Sequence, residues 1–138
     1  MIEKDYIMRL IQRLSLAIAR IIRARSVDDG GLVEKEVVKA YQGLMGTDPG
    51  VWRAMDEKTI LAVVQDDARL KGLAMIFIEE ARWAVQSGQE AGAKNLLGKT
   101  SGIVEELVRR SKKEDEDLVR YRGEIAGLLK SVEKGNSS

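Results

Sequence analysis

Apolar residues return at three- and four-residue steps through most of the chain, and nowhere do they alternate in the two-residue rhythm of a strand for more than four positions. The first such run holds Tyr6, Ile7, Leu10, Ile11, Leu14, Ile18, Ile21 and Ile22, which predicts a helix over about 3–25 with close to half its circumference apolar. Val27-Asp28-Asp29-Gly30-Gly31 ends it. A second stripe, Val33, Val37, Tyr41 and Leu44, predicts a helix over about 32–45, closed by Gly46-Thr47-Asp48-Pro49. Aspartate is a favoured N-cap and proline a favoured first helical residue, so Asp48-Pro49 also starts a short helix through about Met55. Trp52 would anchor that weak helix to the body. Asp56 repeats the capping signal for another short helix, through Ile60, Leu61, Val63 and Val64, that ends near Gln65.

The second half is more regular. Asp66 or Asp67 caps a helix whose stripe is Leu70, Leu73, Ala74, Phe77, Ala81, Ala84 and Val85, up to Ser87-Gly88. A helix from Gln89 to about Arg110 follows, with Ala93, Leu96, Leu97, Thr100, Ile103, Val104, Leu107 and Val108 on one side. Two long helices joined by so short a turn must run antiparallel and pack along their length. The charged elbow Lys112 to Asp117 then leads to a last helix with a narrow seam of Leu118, Tyr121, Ile125, Leu128, Leu129 and Val132. Residues 1–133 therefore read as one all-helical domain, and 134–138 as a frayed tail.

Within the long hairpin, Ala81, Ala84, Gly88, Ala93 and Leu97 occupy positions that resemble one tetratricopeptide repeat, a module with small residues at a helix crossing and a glycine at the turn. The tryptophan, leucine-glycine pair and closing proline of such repeats are missing. The opening run Glu3 to Ile11, continuing through Ala19-Arg20-Ile21-Ile22, resembles the start of a family of small uncharacterised bacterial helical proteins, also tetratricopeptide-like. That resemblance implies a bacterial cytoplasmic protein and brings no catalytic residue or cofactor. The expected fold is all-α, with antiparallel hairpins stacked in tetratricopeptide-like fashion or as a small helical bundle.

Composition narrows the chemistry. Cysteine and histidine are both absent, which excludes disulfides, serine–histidine and cysteine–histidine catalysis, and zinc sites of the usual ligand types. Charged residues interrupt every apolar run before the roughly 18 residues that a membrane span needs, and acids in the first turn do not suit a secretory signal. Cytoplasm is the resulting expectation. Net charge is +1, too close to neutral for a general attraction to nucleic acid. The bases are nevertheless uneven: residues 1–26 hold Lys4, Arg9, Arg13, Arg20, Arg23 and Arg25 against Glu3 and Asp5.

Two kinds of candidate site remain. The adjacent acids Asp66 and Asp67, Glu79 and Glu80, and Glu105 and Glu106, with Glu34 and Glu36, are the candidates for holding magnesium or manganese. Neighbouring helical carboxylates diverge by about 100°, however, and Glu79 and Glu105 would differ in height by roughly 12 Å along their hairpin. Solvated faces paired to Arg82, Arg109 and Arg110 are the simpler expectation. No metal, cofactor or catalytic residue is assigned.

The second candidate is the first helix. Arg9, Arg13, Arg20 and Arg23 fall within an arc of about 80°, set opposite the isoleucine and leucine face. Three readings stand: an ordinary polar back, a contact for an acidic protein or phosphate partner, and a basic amphipathic helix for an anionic membrane surface. Six aromatics, most on apolar stripes, leave little for base stacking, so specific nucleic-acid binding is not expected. The apolar arc of this helix is wider than one neighbour covers, so either the final helix folds back over it or a second copy does, and the expectation is a homodimer with Met8, Ile11 and Ile22 near the contact. Trp83 lies off its helix's main stripe and would cover a second face or form part of a binding surface. The function these features imply is a non-catalytic helical scaffold or adaptor that binds protein. A carboxylate–metal enzyme and an anionic-surface binder are the alternatives.

Overall fold

The computed structural model describes residues 2–136, with side chains from 5 to 134, as seven helices and no strand among them. They are α1 (Ile2–Ser26), α2 (Gly30–Met45), α3 (Pro49–Ala54), α4 (Glu57–Val63), α5 (Asp67–Gln86), α6 (Glu90–Arg110) and α7 (Glu116–Asn136). The chain is all-α, as the periodicity implies. The last helix continues to Asn136, and the final two residues of the tail expected to fray lie outside the described residues.

Capping chemistry sets most of these boundaries. Asp29, Asp56 and Asp66 accept hydrogen bonds from the amides of Leu32, Thr59 and Ala68, satisfying first-turn donors of α2, α4 and α5. Asp48 sits at the N-cap of α3 without such a bond; its carboxylate accepts from Gln42 instead, so proline at the first helical position starts that helix. Trp52 is buried and its indole donates to Thr47 Oγ1 at 2.7 Å, which pins the short helix down. Gly88, at φ 80°, makes the tight turn between α5 and α6.

The helices form two layers. In one, α1, α5 and α7 run parallel, and α5 packs against both of the others. The parallel sense is visible in the side chains: Tyr6 meets Arg69 and Arg25 meets Glu79 between α1 and α5, while Lys71 meets Asp115 and Arg82 meets Glu124 between α5 and α7. The other layer holds α2 and α6, antiparallel to the first, with α3 resting on α2 and α4 on α6. Each long helix thus packs on its successor, and the odd-layer helices also pack on one another.

At the centre of this arrangement, α5 has six consecutive buried residues, Ile76 to Ala81. A run longer than one helical turn has no solvent face, so α5 is enclosed all round rather than along a stripe. Phe77, Leu70, Leu73 and Ile76 are fully buried, as are Tyr41, Leu97 and Ile103 from the facing helices. Close approach to α1 and α2 depends on Gly72, where an added Cβ would lie 2.8 Å from Leu14 Cδ2 and 2.9 Å from Leu44 Cδ2. No helix among the described residues is long and apolar enough to cross a membrane.

Candidate functional site

Helix α1 stands at the end of its layer, with α5 on one side and, among the described residues, no helix packed on the other. Its buried positions are Leu10, Leu14, Ile21 and Ala24, a narrower arc than its apolar residues occupy. Tyr6, Met8, Ile11, Leu16 and Ile22 remain exposed, so more than half of the exposed large hydrophobic residues belong to this one helix. Met8, Ile11 and Ile22 keep 52%, 51% and 44% of their surface in water. The last helix does not cover them, because α7 packs on α5 and α6. Ile22 also lines a shallow groove of about 160 Å³, together with Ile18 of α1, Met75 and Ile78 of α5, and Tyr121 of α7.

The arginines lie on the opposite flank of α1. Arg9, Arg13, Arg20 and Arg23 are all exposed, and their side chains make no hydrogen bond or ion pair among the described residues. Their placement differs from the expected one: the stripe does not stand directly behind the apolar face but turns toward α2. There Arg13 and Arg20 form one rim of a groove of about 330 Å³ between α1 and α2, with Leu16 beside them. Leu10, Leu14, Ala17, Ala40 and Leu44 make the floor, and Glu36, Lys39 and Gly43 the opposite wall. The reason for the shift is that α2 packs beside α1 at the edge of its buried arc, so residues adjacent to that contact overhang it. Lys39, Ala40 and Gly43 had no place in the sequence-based candidates. Their spacing of one, three and four residues on α2 was the available signal, and it gains meaning only once α1 lies alongside.

The acidic pairs are structural. Glu79 and Glu80 are buried, not solvated, and leave α5 in different directions. Glu79 accepts from Arg25 at 2.9 Å and lies 3.4 Å from Arg82; Glu80 accepts from the Tyr41 hydroxyl and from Arg53, whose guanidinium also binds Glu34 at 3.1 Å through two nitrogens. Burial, with the Glu80 carboxylate alongside, pushes the Tyr41 phenol well up from its ordinary value. Burial works against the Arg53 cation, but its bonds to Glu34 and Glu80 outweigh that and raise its pKa. Glu105 is held by Arg122, and Glu106 by Arg109 and Arg110, with the Glu106 carboxyl lowered to about 2 chiefly by its bond to Arg109. Asp66 caps α5 and Asp67 binds Arg110 at 2.9 Å. No group of three or more potential metal ligands occurs among the described residues.

Two further placements complete the picture. The Lys99 ammonium of α6 donates to the carbonyls of Trp52, Arg53 and Met55 at 2.9–3.2 Å, satisfying acceptors at the end of α3, and lies 5.1 Å from the Phe77 ring centre. Burial lowers its pKa. Trp83 is half-buried and packs over Gly30 at the start of α2, so it covers a second face of α5 rather than presenting a free surface.

No family model matches the chain, and neither a curated protein nor a solved structure matches it significantly.

Proposed function

We propose that this chain is a non-catalytic helical scaffold that works by binding protein, and that its first partner is a second copy of itself. The observation that carries the reading is the unequal treatment of apolar side chains: the other long helices bury nearly all of theirs, whereas α1 holds Met8, Ile11 and Ile22 about half in water, with Ile22 at the Ile18–Met75–Ile78 groove. Isolated exposed hydrophobics are ordinary, but a row along one helix at the open end of a layer is a docking face. A second α1 set antiparallel across a twofold axis would extend the α7–α5–α1 layer and cover that row on both copies. The alternating pattern of packing, with α1, α5 and α7 in one layer and α2 and α6 in the other, also supports a tetratricopeptide-like stack, an architecture whose end helices need either a polar cap or a partner.

Light scattering at micromolar concentration tests the proposal. The expected mass is that of a dimer, falling to the monomer in an Ile11→Asp variant that keeps its helical circular dichroism. A monomeric parent protein at that concentration would overturn it.

A further inference from the structure

The groove between α1 and α2 lies on the other flank of α1 from the proposed dimer contact, and its chemistry is of a different kind. Its floor is apolar, made by Leu10, Leu14, Ala17, Ala40 and Leu44. Its α1 rim is basic, with Arg13 and Arg20 lacking a partner among the described residues, and its α2 rim pairs Lys39 with Glu36 at 3.8 Å. Arg9 and Arg23 continue the same stripe beyond both ends. We propose that this groove docks a short acidic amphipathic helix of another protein. The proposal rests on the reading of the chain as a protein-binding module and names the chemistry of a second partner.

Charge complementarity commits the groove to that occupant. An apolar trough with unpaired cations along its α1 rim accepts a ligand with an apolar seam flanked on that side by a row of carboxylates, which is the helix-in-groove mode of recognition. Arginine suits the role because its planar fork can take a carboxylate through two parallel hydrogen bonds. Arg13 and Arg20 stand seven residues apart, or about 10.5 Å along the helix, and the lining of α1 from Leu10 to Arg20 is about 15 Å long. A ligand of about three turns fits, with carboxylates seven residues apart on its α1 side. Single-stranded nucleic acid fits poorly, since no aromatic side chain lines the groove for base stacking. A flat anionic membrane would meet the arginines but leave the recessed floor unfilled.

Gly43 supplies a test that does not depend on damaging the fold. It sits in the wall of the groove, and a Cβ added there would meet nothing within 4 Å. Leucine at this position in the last turn of α2 is a better helix former than glycine and projects into the trough, so Gly43→Leu should raise the melting temperature while it blocks the site.

The experiment is selection of a displayed library of 14-residue amphipathic helices, with the apolar seam fixed as leucine and the polar positions free among Glu, Lys, Gln and Ser, on the full-length protein. The expected winners carry glutamate at two positions seven residues apart beside the seam. They should bind at least tenfold more weakly to Gly43→Leu and to Arg13→Glu/Arg20→Glu, and the charge-reversed protein should select lysine at those same positions. Both variants should keep the mass of the parent in light scattering, which separates this groove from the dimer contact. Winners without acidic enrichment, winners that bind Gly43→Leu as well as the parent, or winners displaced by Ile11→Asp instead would overturn the proposal. So would phosphatidylserine vesicles or a 20-nucleotide single-stranded DNA that bound as tightly as the best peptide and were lost with the same two variants.

Discussion

Helices α1 and α5 are built from similar materials, with isoleucine, leucine and alanine interleaved with arginine or glutamate, yet they end in opposite circumstances. Around α5 every side chain from Ile76 to Ala81 is buried, and its two glutamates are matched by Arg25, Arg82, Arg53 and Tyr41. On α1 the apolar row Met8, Ile11 and Ile22 is open, and four arginines have no partner among the described residues. Composition does not separate them; position in the layer does. A central helix receives neighbours on all sides, so each polar group it buries must find a counterpart. An end helix can leave both apolar area and charge unspent, and those are the raw materials of binding.

The sharpest test of that contrast is truncation in the enclosed helix. Phe77→Ala should destabilise by about 3–5 kcal/mol, and Leu97→Ala in the facing α6 by about 2–5 kcal/mol, since neither site can collapse without moving several helices. Urea titration measures both. A loss below about 1 kcal/mol at each position would mean that α5 is not the centre of the core.

Next in size is the buried polar set. Glu80→Ala removes the acceptor of the enclosed Tyr41 hydroxyl and should cost about 1–3 kcal/mol, whereas Glu34→Ala, which frees an exposed carboxylate from the same Arg53, should cost under about 1 kcal/mol. Equal losses in thermal or urea melts would show that the two ends of this network are equally solvated, against the burial observed at Glu80.

Acid should weaken the α6–α7 side gradually. Glu105 and Asp115 are held below their ordinary values, first by hydrogen bonds from Arg122 and Lys71, and Glu106 is lowered from 4.5 to about 2. A carboxyl whose folded pKa lies below its unfolded one stabilises the fold fully above the unfolded value, and that contribution is lost as pH falls through the folded one. Stability measured by denaturant titration should therefore decline between about pH 4.5 and pH 2. Because these pairs are largely exposed, the decline should shrink in 1 M salt, where the screening length is about 3 Å. A profile unaffected by salt would place the relevant carboxylates in the interior instead.

The smallest effect belongs to the open face. Met8→Ser, compared with the parent at concentrations dilute enough to keep both monomeric, should change the unfolding free energy by no more than about 0.5 kcal/mol. A cost comparable to that of Phe77→Ala would erase the difference between the two helices and place Met8 inside a core.

Much of this was legible along the chain, where the controlling interactions are local. Periodicity located the five long amphipathic segments and the α5–α6 hairpin, and aspartates placed the starts of α4 and α5, because a cap bonds to amides only two or three residues away. The uncovered width of α1 was readable too, since it follows from counting apolar positions on one helix. Glu79 and Glu80 were not readable as buried residues. Their partners Arg25, Tyr41 and Arg53 lie 27 to 54 residues away, and a carboxylate on a helix looks solvated until those neighbours close over it. Lys99 was hidden for the same reason: it satisfies carbonyls of α3 more than forty residues earlier.

By itself, then, the sequence determined an all-helical chain without histidine or cysteine chemistry, its main helices, and a first helix with more apolar and basic surface than one neighbour could use. Only the tertiary structure decided that α5 lies at the centre, that Glu79 and Glu80 are buried against Arg25 and Arg53, and that the arginine stripe overhangs a groove instead of standing behind the core. Helix formation is decided within a few turns, by rotamer freedom, capping and spacing. A groove exists between two helices, and its shape depends on how α1 and α2 seat on α5, where Gly72 lets Leu14 and Leu44 from two other parts of the chain close in.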